Sequence, residues 1–351
     1  MKPLVSILIA AYNAEKWIAY TLQSAVDQTW KRTEIIVVDD GSKDRTADVS
    51  RQFASKGITL VSTENRGLSA AQNYAFQLSH GDYIQYLDAD DLLAADKIER
   101  QLAALREGDS KRILLSSPWA PFYYRTNCAS FVRNSLWQDL SPVEWLLRKM
   151  GENLHMQNAT WLVGRELAQA AGPWDESLHY DQDGEFFCRV LLASEGTRFV
   201  PETGIFYRKS GTNSISYIGR SSKKKESLLR SMKLHIHYLQ SLEDSERVRK
   251  ACLKYLQNWY GAFYPGRPDL AVEAQRLSAQ LGGHLEPPHL RWKYAWIKPL
   301  LGQEAANWIQ MAFPQIKNFI SRNWDKTMFT LQAGEAEISL CTHAKTISRR
   351  S

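Results

Sequence analysis

Paired cysteines, long apolar runs and glycine-rich phosphate loops are all missing from this 351-residue chain. Its four cysteines, Cys128, Cys188, Cys252 and Cys341, stand far apart, and none belongs to a Cys-x-x-Cys pair. That spacing suggests neither a zinc cluster nor a disulfide framework and fits a reducing, cytoplasmic setting. No segment reaches the ~18 to 20 apolar residues that a membrane span requires. The apolar opening, residues 4–11, has no basic lead beyond Lys2 and runs directly into Tyr12-Asn13. A buried strand is expected there rather than a signal peptide. No Gly-x-Gly-x-x-Gly follows this strand and no Walker-type Gly-Lys-Ser/Thr occurs. A dinucleotide dehydrogenase or a P-loop enzyme would therefore lack its phosphate cradle. Internal repeats are absent as well.

What is present is a globular composition, 44% apolar, enough to fill the core of one large α/β domain with a smaller unit appended. Charge is divided unevenly. Residues 1–200 hold 21 Lys and Arg against 26 Asp and Glu, whereas residues 201–351 hold 23 against 12. A basic C-terminal half suits nucleic acid, anionic lipid or an anionic substrate, and charge alone does not choose among them.

Strand and helix patterns alternate through the first half. Strands are expected at 4–11, 34–38, 58–62, 83–87 and 113–117. The first helix is expected to start at Asn13 as N-cap and to carry Ile18, Leu22, Ala25 and Val26; a third spans 68–79. Such alternation predicts a mostly parallel open sheet with helices on both faces. Ligands of such sheets sit at the carboxyl ends of the strands, where the polar motifs fall: Tyr12-Asn13, Asp39-Asp40, Asn65-Arg66-Gly67 and Asp88-Ala89-Asp90-Asp91. Residues 118–140 are read as an irregular, substrate-shaping loop. A strand is expected at 157–163 and a helix at 181–195, with Asp181 as its cap. Beyond 211 only helices are expected (223–239, 246–263, 270–281), then an aromatic and basic stretch at 291–326. The division is thus 1–215, a helical region 216–331, and a loose tail 332–351.

An apolar strand ending in three carboxylates within four residues costs stability unless a cation or ligand takes up the charge. Mg²⁺ or Mn²⁺ prefers oxygen ligands and holds phosphates through one or two carboxylates. Asp88 and Asp90 are the expected ligands; a solvated acidic loop is the other reading of the tetrad alone.

Taken together, residues 5–13, 36–44, 65–73 and 87–91 resemble the family 2 inverting glycosyltransferases, with the motifs in that family's order. The resemblance implies the glycosyltransferase A fold over roughly residues 4–210. It implies that Ala11, Tyr12 and Asp40 line the base and ribose pocket, Asp40 accepting the ring N–H of a uracil, with Glu15 and Asp39 as secondary candidates. Asn13, Asn65, Gly67, Asn73 and Ala89 belong to the same donor-binding motifs, and Asp88 and Asp90 hold the metal on the diphosphate. The catalytic base it implies is Asp183, in Gln182-Asp183-Gly184-Glu185-Phe186-Phe187. The pattern departs at Ala10, Gln72 and Gln182, where Pro, Arg and Glu are usual; Arg66 or Arg208 is expected to supply the charge missing at Gln72. The His that often follows Arg208 is not evident in Lys209-Ser210-Gly211.

The expected function is metal-dependent, inverting transfer of a sugar from a nucleotide-diphosphate donor, UDP-linked by preference. The acceptor is a hydroxyl on a sugar, a lipid-linked sugar or a small molecule. The alternatives are a non-catalytic nucleotide-sugar-binding scaffold and a nucleotidyltransferase. No nucleic-acid partner is expected. Contact with an anionic membrane through 291–326 is the alternative to packing of those aromatics on the catalytic domain, and it would place the protein at the inner face of the membrane.

Overall fold

The computed structural model describes residues 2–210, 217–219, 221–288, 299–300 and 318–331. Gly211, the tail from 332 and most of the 291–326 stretch lie outside the described residues. The elements, in order, are β1 (Val5–Ala11), α1 (Ile18–Val26), β2 (Thr33–Asp39), α2 (Thr46–Arg51), β3 (Ile58–Ser62), α3 (Leu68–Leu78), β4 (Tyr83–Tyr86), β5 (Leu92–Leu93) and α4 (Lys97–Ala103). Then follow β6 (Ile113–Ser116), β7 (Trp119–Phe122), α5 (Pro142–Glu152), β8 (Val163–Gly164), α6 (Arg165–Ala171), α7 (Gln182–Ala193), β9 (Gly196–Phe199) and β10 (Ile205–Arg208). Three helices follow, α8 (Ser222–Leu242), α9 (Glu246–Tyr260) and α10 (Pro268–Gln280), and residues 318–331 are helical as well.

Every residue of β1 is buried, as expected of a central strand covered on both faces. Its alternate side chains enter two cores. Val5, Ile7 and Ile9 meet Ile18 and Leu22 of α1 and Ile98 of α4, while Leu8 and Ala10 join the core of Ala71, Ala75 and Phe186. The main sheet runs β3-β2-β1-β4-β8. Its first four strands are parallel and in level register, Ala11 opposite Asp39 and Asp39 opposite Ser62, with β4 beside β1 and β8 antiparallel at the edge. The carboxyl ends of β1 to β4 therefore open on one side.

Three expectations change. Asn13 does not cap a helix: it has left-handed φ 50°, its Oδ1 accepts from Lys43 N at 2.9 Å and its N–H donates to Ser42 Oγ at 2.9 Å. The segment is held to the loop after β2, and α1 starts only at Ile18. Of the strand expected at 157–163 only Val163 lies in a strand, at the start of β8. Asn158–Thr160 form a 3₁₀ turn, because the amide groups of Gln85 and Gln101 donate to the carbonyls of Ala159 and Thr160 at 3.0 Å, where a strand would need a neighbouring backbone. Finally, residues 118–140 contain β7, which pairs parallel with β10. Pro121 is tolerated there because β7 is the edge of its sheet.

Helices α8 to α10 share the larger core. Leu228, Met232 and Ile236 of α8 and Cys252 and Leu256 of α9 lie in one buried cluster with Met150 of α5 and Phe187 of α7. Ser221 and Ser245 cap α8 and α9, each accepting a backbone N–H with its side chain.

Candidate active site

The loops after β1, β2 and β3 are fastened to one another by Asp40. Its Oδ1 accepts from Arg66 N and its Oδ2 from Gly67 N, both at 2.8 Å, its own N–H reaches Ala11 O at 2.8 Å, and its carbonyl accepts from Asn65 Nδ2 at 2.9 Å. Gly67, at φ 95°, turns its N–H toward that carboxylate in a conformation that side chains disfavour. Asp39, next to it and equally buried, has an Oδ1 with no hydrogen-bond partner among the described residues. A buried carboxylate oxygen without a partner is costly, so Asp39 is the member of the pair with a lone pair to offer a ligand. Tyr12 is exposed, and Glu15 accepts from Arg45 N at 3.1 Å.

The Asp-rich segment turns tightly after β4, Asp91 N donating to Asp88 O at 3.1 Å. Thr21 Oγ1 holds Ala89 O at 3.0 Å. Burial, and then the Asp90 charge, push the Asp88 carboxyl up to about 7. Burial also raises Asp90 and Asp91, and for Asp91 the charges of Asp90 and Asp88 add to it. Ser210 Oγ donates to Asp90 Oδ2 at 2.9 Å, Asn158 Nδ2 to Asp88 Oδ1 at 3.0 Å, and Arg208 N to Asp91 Oδ1 at 2.8 Å. The Oδ1 of Asn158 and the Oδ2 of Asp91 are buried without a partner among the described residues.

Arg208 is buried against the Asp-rich turn. It is 3% exposed and lies beneath the turn, its guanidinium 4.0 Å from the Trp17 ring and 4.3 Å from the Phe122 ring, donating to Asp90 O at 2.8 Å and Tyr123 O at 3.0 Å. Burial lowers its pKa to about 10, so it stays charged at neutral pH. Arg66 is turned outward to Glu176, 3.1 Å away. Gln72 is fully buried, and neither end of its amide is hydrogen-bonded among the described residues. Asn73 is engaged by the chain itself: its Nδ2 donates to Trp174 O at 3.0 Å and its Oδ1 accepts from Trp174 N at 2.8 Å, and Trp174 stacks on Phe186 of α7 at 4.4 Å.

At the start of α7 three carboxylates are sorted by their partners. Asp181 stands at the N-cap position with φ 59° but makes no capping bond; its Oδ2 accepts from Ser231 Oγ at 2.8 Å and lies 3.8 Å from His235 Nδ1. Gly184 makes room for it, since a Cβ there would overlap the Asp181 carboxylate. Burial lowers His235 to about 4, so it is neutral. Glu185 is taken by Arg189, Nε and Nη2 each at 2.7 Å, and by Tyr238 Oη at 2.8 Å. Asp183 remains, partly exposed and pushed up to about 6 by burial and then by the Asp181 charge. Its charge is the last of the causes that raise Asp88, after burial and the Asp90 charge.

Asn158, Ser210, Ser231 and Tyr238 escaped sequence reading. Asn158 sat inside an apolar run that reads as strand, and α8 is far along the chain from the helix it supports. No group of three or more His, Cys, Asp or Glu among the described residues could by itself hold a metal ion. Two carboxylates, Asp88 and Asp90, fit a hard cation whose remaining ligands are phosphate oxygens and water, and burial is the first cause of the raised pKa of each.

Residues 6–121 match the family model of glycosyl transferase family 2. Over 192 residues the chain is 32% identical to an uncharacterized glycosyltransferase of Rickettsia typhi, covering 55% of this chain and 60% of that protein. The chain spans about three fifths of the length of the first curated relatives it matches. Among solved structures, S. aureus TarS 1-349 in complex with UDP-GlcNAc superposes with a TM-score of 0.61 at 16% identity, over 79% of this chain and 81% of that one. The mannosyltransferase PcManGT from Pyrobaculum calidifontis, in complex with GDP-Man and Mn²⁺, gives 0.52 at 18% identity, over 93% and 88%. At these identities the likeness is one of fold, the glycosyltransferase A type.

Proposed function

Residues 6–121 are a family 2 glycosyl transferase domain, and on that premise we propose that the protein transfers a sugar from a nucleotide-diphosphate donor to an acceptor hydroxyl with inversion. The observation that supports the reading is the match of residues 6–121 to the family model, together with the way Asp181 and Glu185 are tied off by other side chains at the start of α7 while Asp183 is not. Asp39 accepts the ring N–H of a uracil-type base with its free oxygen, while Asp40 holds the loop that shapes the pocket. Asp88 and Asp90 hold Mg²⁺ or Mn²⁺, which supplies positive charge against the departing diphosphate. Asp183 takes the proton of the acceptor hydroxyl as its oxygen bonds to the anomeric carbon and the bond to the diphosphate breaks. A group with a pKa of about 6 is ionised and still basic at neutral pH.

No helix among the described residues is long and apolar enough to cross a membrane; contact of 291–326 with an anionic membrane is the alternative to packing of those aromatics on the catalytic domain. A nucleotide-release assay across UDP- and GDP-linked sugars, with and without Mn²⁺, tests the function. Release that depends on both acceptor and cation is the expected result. Tight donor binding with no turnover would favour a nucleotide-sugar-binding scaffold, the reading that the departures at Gln72 and Gln182 support.

A further inference from the structure

We propose that Lys97 and Asn158 are positioning residues of the Asp-rich turn: a buried amide network centred on Lys97 fixes the Asn158–Thr160 turn, and Asn158 holds the Asp88 carboxylate in place. This rests on the reading of Asp88 as a ligand of the cation and adds the groups that aim it. Lys97 opens α4 and is fully buried. Burial lowers its pKa well below the ordinary lysine value, and no carboxylate among the described residues pairs with it. A buried amine without a counter-ion is costly, and an apolar side chain of similar length would fill the same space. What an apolar side chain could not do is orient amides.

Lys97 Nζ donates to Gln85 Oε1 and, at 2.6 Å, to Gln101 Oε1; charged or neutral, the amine has the two donors these bonds need. Each glutamine has then committed its oxygen, so its NH₂ group is turned to other acceptors. Gln85 Nε2 donates to Ala159 O at 3.0 Å and to Tyr86 O at 2.7 Å, and Gln101 Nε2 donates to Thr160 O at 3.0 Å. Ser117 Oγ reaches the same Thr160 carbonyl at 3.2 Å. The turn also closes on itself, Thr160 N donating to Gln157 O at 3.0 Å and Thr160 Oγ1 to the same oxygen at 2.6 Å. One amine thus ties α4 and the turn to β4, the strand that runs into Asp88.

Asn158 carries this order to the acidic residues. Its Nδ2 donates to Asp88 Oδ1 at 3.0 Å, and no other side chain among the described residues bonds that carboxylate. Its Oδ1 is buried without a partner among the described residues, and the residue is 2% exposed. Leaving an amide oxygen bare is unfavourable, so stability alone does not call for asparagine here. Its nitrogen is the useful end. It sets the direction of the Asp88 carboxylate, as groups behind a metal-binding side chain do, and loss of such a group weakens metal binding by about 10- to 100-fold.

Calorimetry of UDP and of GDP on the full chain, each with and without Mn²⁺, tests the proposal. Asn158→Ala should weaken the Mn²⁺-dependent part of nucleotide binding by about 10- to 100-fold and leave binding without Mn²⁺ as in the wild type, a split that a merely structural role would not produce. Lys97→Met should show the same split at about tenfold, with faster hydrogen exchange at the Thr160 amide. Gln101→Glu keeps an acceptor for Lys97 and removes only the donor to Thr160 O; it takes the place of Lys97→Met if that variant does not fold, with the same split expected. Equal Mn²⁺ dependence in Asn158→Ala and wild type overturns the part given to Asn158. A split in Asn158→Ala with none in Lys97→Met or Gln101→Glu overturns the part given to Lys97. Asp90→Ala separates these failures from failure of the wider reading. If the wild type itself binds neither nucleotide in a Mn²⁺-dependent way, the cation reading falls and this proposal with it, whereas a response lost in Asp90→Ala and kept in Asn158→Ala overturns this proposal alone.

Discussion

The two banks of the crevice are built differently. On the donor bank, carboxylates are held by backbone amides of adjacent strand ends, as Asp40 is by Arg66 and Gly67. On the opposite bank, the carboxylates of α7 are held by side chains of a helix some 50 residues further on, Ser231 for Asp181 and Tyr238 for Glu185. The first bank is a local product of sheet topology, and the second exists only once α8 has docked. Helix α8 therefore supports the start of α7, where the proposed base lies.

The largest expected effects strike each bank at its reactive carboxylate. Asp183→Asn keeps size and most hydrogen bonding but cannot take a proton, so transfer should fall by roughly 10²- to 10⁴-fold with donor affinity unchanged. Near wild-type turnover in that variant, with loss in Asp181→Asn, would move the base by two residues. Asp90→Ala should abolish Mn²⁺-dependent binding of a nucleoside diphosphate while the circular dichroism spectrum stays native; calorimetry with and without Mn²⁺ reads this directly.

The same Asp183 variant should gain stability. A carboxyl raised from its ordinary value of about 4 to about 6 in the folded state binds its proton more tightly there than in the unfolded chain. Its contribution to stability is present below about pH 4 and is lost as pH rises through 6. Asp183→Asn removes that loss and should be more stable than wild type above pH 6 by about 2 kcal/mol and equal to it at low pH. Urea unfolding at several pH values checks the sign. The wild-type transfer rate should itself climb with pH through about 6, the limb that reports the base.

The donor bank can be sharpened at its two neighbouring aspartates. Asp40→Ala leaves two backbone amides without their acceptor and should cost about 2 to 3 kcal/mol of stability. Asp39→Ala should weaken a UDP-type donor by about 1 to 3 kcal/mol without that loss. Equal unfolding midpoints for the two would erase the distinction between anchor and reader. The smallest effect is expected at Ser231→Ala, about 1 kcal/mol of stability with a modest drop in turnover; an unaltered turnover would show that Asp181 needs no help from α8 to leave Asp183 in place.

These particulars show what could be read ahead of the structure. The strand at 58–62 and the helix from Leu68 match their expected bounds because apolar period and flanking Gly are local signals. The surroundings of Asn158, Arg208 and Asn73 were not legible in the sequence for one shared reason. Each has a side chain whose meaning depends on a partner that sequence distance hides: Asp88, the Trp17 and Phe122 rings, and the Trp174 backbone.

The sequence by itself determined the alternation of strands and helices, hence a parallel sheet, hence a crevice where its polar motifs end, since periodicity and turn residues act over a few positions. Only the tertiary structure decided which carboxylates are tied off by other side chains. Asp39 differs from Asp40, and Asp183 from Asp181 and Glu185, solely in what surrounds them, and hydrogen bonding and desolvation are set by groups that meet in space after the chain has folded.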